Sequence, residues 1–175
     1  MAGVIAPEFA RPFGLDTLGE PRAVAIAADA AERAALAARF DLLRLDTLEA
    51  GATLTRDKDV ISAEGRLRAR VVQACVATGV ALPRAIDAPF TIRFVPETDA
   101  PDEEIEVAPD ALDDMAYAGN SIDLGEAVAQ TLALALDPFP RAPDADAVLR
   151  EVGVLQEGEA TAPTALAGLR DLLKK

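Results

Sequence analysis

The sequence predicts an α+β fold: a single domain in which an antiparallel β-meander, open or barrel-like, is covered by two main helices and followed by a C-terminal helix. Three observations predict it. Apolar residues recur at every second position through the fifty residues after position 47, the period of half-buried strands. Helix-forming runs near 29–40 and 124–136 flank that stretch, each opening on an aspartate with a glutamate three positions later. The length, 175 residues, holds one ordinary domain. The whole chain, 1–175, reads as that domain, with an acidic loop over 96–121 and a loosely attached C-terminal segment over 142–175.

At the N-terminal end, "EFARPF" (8–13) has strand character, with Pro12 confining it to an edge, and "RAVAIA" (22–27) reads as a short strand. In "AADAAERAALAARFDLL", Asp29 and Glu32 form a capping-box start, and Leu36 and Phe40 share one helix face. Leu48, Ala50, Ala52 and Leu54 then alternate, "RDKD" (56–59) intervenes, and Ile61, Ala63, Leu67, Ala69 and Val71 resume the alternation. Folding about "RDKD" pairs Leu54 with Ile61, Ala52 with Ala63 and Leu48 with Leu67. After the turn "TGVALPR", a third strand carries Phe90, Ile92 and Phe94 on one face, which pairs Leu67 with Phe94, Ala69 with Ile92 and Val71 with Phe90. Both registers set apolar against apolar, and a one-residue slip destroys the match.

The segment "PETDAPDEEIEVAPDALDDM" (96–115) holds nine acidic residues, three prolines and no base, and reads mostly as loop, with "EIEV" (104–107) as a short strand. Asp123 then caps a helix over 124–136. A weaker helix falls near 145–151 and a C-terminal helix over 163–173.

Composition removes whole classes of chemistry. There is no histidine, which excludes Ser-His-Asp and Cys-His catalysis and histidine-ligated metals. The single cysteine, Cys75, can form neither an internal disulfide nor a multi-cysteine zinc site, and suits a reducing compartment. "MAGVIAPEFARPFG" lacks the pattern of a signal peptide, and no window approaches the roughly 20 apolar residues of a membrane span. The expectation is a cytoplasmic protein without membrane insertion and without a cofactor. The net charge of −13 is confined to one half of the chain: residues 1–95 hold twelve acids and twelve bases, residues 96–175 eighteen acids and five bases.

Several candidate sites follow. Arg66, Arg68 and Arg70 alternate with core residues in "GRLRARVV", and the expected register sets Arg93 beside Arg68, making a four-cation face suited to phosphates. The competing reading is neutralisation by cross-strand acids, with Glu49 opposite Arg66 and Asp46 in reach of Arg68 or Arg70. The acidic segment suits a basic ribosomal protein, or solvation alone; it lacks a calcium-loop pattern. Asp123 and Glu126 have the spacing of a capping box, which accounts for both without catalysis. Cys75 has no base beside it and reads as a structural thiol. The helix "LGEAVAQTLALALD" has too few polar positions for one wet face, so it is buried on more than one side or buries a partner.

Taken together, "ADAAERAALAARFDL", "GRLRARVVQACVATG" and "IDLGEAVAQTLALALDPFPRAP" resemble the YceD-like family, bacterial and plastid proteins linked to accumulation of large-subunit ribosomal RNA. The resemblance runs through most of residues 8–145, and "ALAGLRDLLKK" is similar to the tail of its alphaproteobacterial branch. It marks Cys75, Asp123, Leu124, Gly125, Glu126, Pro138 and Arg141 as motif residues. It implies a non-enzymatic role in ribosome production, with large-subunit ribosomal RNA or a precursor particle as partner and no DNA. The alternative it leaves open is an acidic adaptor for a basic ribosomal protein or a phospholipid-synthesis enzyme, without RNA contact. Some relatives carry a CxxC near Cys75 and another after the DLGE helix. Here Gly79, Val80 and Arg141 stand in or near those regions and no second cysteine exists, so no metal site is implied.

Overall fold

Alternating side chains and two capped helices account for most of the architecture. The computed structural model describes residues 7–97 and 114–154. In chain order these form β1 (Pro12–Gly14), a 3-10 turn (Leu15–Thr17), β2 (Arg22–Ala27), α1 (Ala30–Arg39), β3 (Arg44–Asp57), β4 (Val60–Ala74), β5 (Ala81–Pro96), β6 (Asp114–Tyr117), β7 (Ser121–Asp123), α2 (Leu124–Ala135) and α3 (Ala145–Glu151). The expected "EIEV" strand and the 163–173 helix lie outside the described residues.

Five strands make one sheet in the order β2-β3-β4-β5-β6, and β1 pairs with β7 in a separate two-stranded ribbon. The first three pairings are antiparallel, as the meander requires, but β5 and β6 run parallel. The sheet is therefore mixed, and it stays open, with β2 and β6 at its ends. β6 and β7 fall within or beside the stretch expected to be loop. Only Pro12 and Phe13 of the expected N-terminal strand are extended, and they pair with Asp123 and Ile122.

The expected faces hold while the expected registers do not. Leu54 pairs with Ala63, Ala52 with Gly65 and Leu48 with Ala69, two residues from the expected alignment. The cause is the turn: only Lys58 and Asp59 separate the two strands, and Lys58 takes a positive φ of 57°, the backbone of a tight hairpin. A two-residue shift preserves parity, so the same side chains remain inside. The β4–β5 alignment moves by six: Leu67 pairs with Ala88, Ala69 with Ile86, Ile61 with Phe94 and Ala63 with Ile92. Strand β5 begins at Ala81 and runs through Pro83 and Pro89. Both prolines are tolerated because, among the described residues, β5 has an outer neighbour only over Arg93–Pro96.

The inner face of the sheet carries Leu48, Leu54, Ile61, Leu67, Ile92 and Phe94, each at most 2 % exposed. Both helices cover this face: Leu36 of α1 and Val128 and Leu132 of α2 join the same buried cluster. Each such side chain is worth roughly 1.5–3 kcal/mol on burial, so this layer supplies most of the driving force. The opposite face has no helix over it among the described residues.

At Gly65 the strands approach too closely for any side chain. A Cβ there would lie 2.2 Å from the Gly51 carbonyl oxygen and 2.8 Å from the Ala52 methyl. Gly65→Ala is expected to cost about 1–3 kcal/mol, read as a lower urea midpoint with an unchanged m-value.

Candidate functional site

The motif residues gather at the two ends of α2. At its start, Asp123 Oδ1 accepts hydrogen bonds from the backbone N–H groups of Gly125 (2.9 Å), Glu126 (3.2 Å) and Arg11 (2.8 Å). The Leu124 N–H donates to the Arg11 carbonyl at 3.1 Å, and its side chain is 1 % exposed. Gly125 is where the N-terminal segment presses on the helix: a Cβ would lie 2.1 Å from the Phe9 carbonyl oxygen. Glu126 does not close the expected capping box. It accepts both guanidinium arms of Arg39, at 2.7 and 2.9 Å, because Arg39 at the last turn of α1 offers a fork that a carboxylate matches. Arg39 also holds Glu8 at 2.9 Å.

On α1 the capping box is complete, with Asp29 and Glu32 exchanging bonds, and Glu32 additionally takes Arg11 at 2.6 and 2.8 Å. Arg39 pulls the Glu126 carboxyl below its ordinary range and Arg11 does the same to Glu32. A general acid near neutrality needs the opposite shift. Through these contacts Asp123 and Glu126 hold the two helices and the N-terminal segment together.

At the far end of α2, residues 137–142 are stitched to the end of β4. Gln73 donates its amide to the Asp137 carbonyl (2.8 Å), the Val76 N–H donates to Pro140 (2.9 Å), and the Ala142 N–H donates to the Cys75 sulfur (3.3 Å). Asp137 turns the chain by accepting from the Phe139 N–H and pairs with Arg84 at 3.1 Å. Arg141, exposed, pairs with Asp146. Cys75 is 2 % exposed and packs with Ala142 and Ala145; its N–H donates to the Val80 carbonyl and its carbonyl accepts from the Gly79 N–H, both at 2.8 Å. The nearby Thr78 hydroxyl, the Ala142 N–H and then the Ala77 and Thr78 N–H groups favour the thiolate over opposing burial, lowering the pKa from 9.0 to about 7. The Thr78 hydroxyl itself completes no hydrogen bond of good geometry.

Beside this seam lies a groove of about 530 Å³ whose lining includes Phe40, Asp41, Gln73, Leu136, Asp137 and Pro138. The helix that leads to it is buried through Leu124, Val128 and Leu132, but Leu134 is 79 % exposed and Phe139 76 %. The expectation of a helix buried on more than one side therefore applies as far as Leu132, and the helix emerges at Leu134.

The arginine stripe sits on the open face of the sheet. Arg66, Arg68 and Arg70 are all exposed, but the true register sets Pro89, Asp87 and Ala85 opposite them and aligns Glu49 with Arg68. Asp87 takes both Arg66 and, at 3.4 Å, Arg68, and Arg66 holds its carboxyl below the ordinary range. Asp46 instead binds Arg44. Arg93 lies away from Arg68, opposite Ser62, and pairs with Asp114 at 3.4 Å. Among the described residues Arg70 alone of the four has no carboxylate within ion-pair distance. Two shallow grooves, of about 450 and 440 Å³, share Arg68 and Glu49.

Among the described residues no three potential ligating side chains converge on a metal position, and no helix is long and apolar enough to cross a membrane. The acidic stretch lies outside the described residues apart from Pro96, Glu97, Asp114 and Met115 at its ends.

Because the folded thiol titrates below its unfolded value, its contribution is complete above pH 9 and is lost as the pH falls through 7. Urea midpoints are therefore expected to fall from pH 9 to 7 in the wild type, and Cys75→Ala should remove that part of the slope.

A family model described as "Large ribosomal RNA subunit accumulation protein YceD" matches residues 63–173, more than half of the chain. The match begins within β4 and takes in the Cys75 turn and the whole of α2, whereas α1 lies before it. Neither a curated protein nor a solved structure matches the chain.

Proposed function

The chain belongs to the YceD family, and from that premise we propose that it is a non-enzymatic factor supporting the accumulation of large-subunit ribosomal RNA by holding a basic protein of the subunit. The family's description supports the link to large-subunit ribosomal RNA accumulation. The observation that carries the second is the state of the arginines: Arg11, Arg39, Arg44, Arg56, Arg66, Arg68, Arg84, Arg93 and Arg141 each have a carboxylate within 4.0 Å. A phosphate backbone would have to displace those acids while approaching a chain of net charge −13. A basic protein gains from the same charge through faster, steered encounter. The non-enzymatic reading is supported by the lack of histidine and by the structural engagement of Asp123 and Glu126. A cytoplasmic site of action follows from this reading.

A second reading, direct RNA contact, is favoured by one observation: Arg70 is exposed beside Arg68 and lines the same groove with no acid of its own. The two are separated by co-purifying partners with and without nuclease treatment and by titrating precursor large-subunit RNA. The adaptor reading expects a nuclease-resistant complex with basic large-subunit proteins, and RNA affinity unchanged in Arg66→Ala/Arg68→Ala/Arg70→Ala. A complex that vanishes with nuclease, together with a marked loss of RNA affinity in the triple variant, overturns it in favour of RNA.

A further inference from the structure

We infer that the groove between the end of β4 and the exit of α2 receives a lysine or arginine side chain of the basic protein partner, an assignment that rests on the adaptor reading above. Its volume, about 530 Å³, accommodates a long side chain with space for the adjoining backbone. The walls carry Asp41 and Asp137 and no lysine or arginine; Asp137 is already held by Arg84 at 3.1 Å, so Asp41, which has no ion-pair partner among the described residues, supplies the carboxylate for the anchor. The last turn of α2 ends at this groove, so its carbonyl end adds the negative pole of the helix. Gln73, 7 % exposed, donates to the Asp137 carbonyl and leaves its Oε1 without a donor among the described residues. That uncompensated carbonyl dipole deepens the negative potential of the wall.

Phe40, Leu136 and Pro138 offer apolar surface to the aliphatic stem of such a side chain. A free amine or an inorganic cation would leave the apolar lining unused: Val76, which lines the groove, is 60 % exposed, and Phe139, between the lining residues Pro138 and Pro140, is 76 % exposed. Exposed apolar side chains around a charged depression are the makings of a protein interface, in which a buried anchor is ringed by groups that exclude water. The partner is therefore a protein that presents a cationic anchor with apolar neighbours.

The test uses the full chain and, as probe, the basic proteins purified from nuclease-treated, dissociated large ribosomal subunits, with affinity read by fluorescence titration. Two exposed positions change the groove without altering any side chain that bonds across its seam. Asp41→Asn removes a carboxylate yet tolerates the positive φ of 52° at that position, and Val76→Lys sets a competing ammonium on the rim. Each is expected to weaken binding of the wild-type partner about tenfold or more. Glu20→Gln, which equally removes one negative charge at a distant exposed position, should stay within about twofold. Wild-type binding that survives both groove variants, or falls equally in Glu20→Gln, overturns the groove assignment and leaves the adaptor reading standing. If the wild type binds no basic protein, the adaptor reading fails and the groove assignment falls with it. Competition by spermidine as strong as by the protein probe would overturn the assignment to a protein side chain.

Discussion

Everything else in this fold is hung on the contact between the Phe9–Arg11 backbone and the first turn of α2. Gly125 allows that approach, Asp123 bonds the Arg11 N–H, and the Leu124 N–H bonds the Arg11 carbonyl. Once Arg11 is fixed, its side chain reaches Glu32 and the Ala27 carbonyl, which sets α1 and the end of β2. Arg39, from the other end of α1, returns to Glu126. The two helices are thus clamped at both ends of α1 by partly exposed bidentate pairs, whose planar geometry fixes orientation more than it adds stability. The sheet supplies the apolar surface, and this clamp decides how the helices lie on it.

That division of labour gives every residue of the DLGE motif a structural task. Each of its four residues meets a different demand of one junction: an acceptor for three N–H groups, a core side chain, a missing side chain, and an acid for a guanidinium. The more accessible end of α2 is the opposite one. There Leu134 and Phe139 stand in solvent and the chain is turned by prolines beside a groove, so the end of the helix that fixes the fold is not the end that is exposed.

Faces were legible in the sequence and alignments were not, for a physical reason. Burial selects parity, so Leu48, Leu54, Ile61 and Phe94 point inward under either the expected or the actual register. Turn geometry selects the partner, and nothing in "RDKD" announces that Lys58 would adopt the left-handed region. β5 begins inside the stretch expected as the turn "TGVALPR", because the tolerance of Pro83 and Pro89 depends on β5 having an outer neighbour, among the described residues, only over Arg93–Pro96. The displaced register in turn dissolved the four-arginine face, moving Arg93 to Asp114 and setting Asp87 between Arg66 and Arg68. β6 and β7 were missed because their three or four residues sit beside an acidic run whose composition signals loop. The groove could not be found at all: Phe40, Gln73 and Leu136 are unremarkable until the seam at Cys75 brings their elements together.

The junction at Arg11 also has a temporal side. Its partner Asp123 is 112 positions further along the chain, so during synthesis the N-terminal segment must wait for those residues before it can be secured there. The β-hairpin of β3 and β4, closed by a two-residue turn, has no such dependence. Vectorial assembly would therefore begin in the middle of the molecule, with the sheet forming first on the nascent chain and the N-terminus being captured only as α2 leaves the exit tunnel.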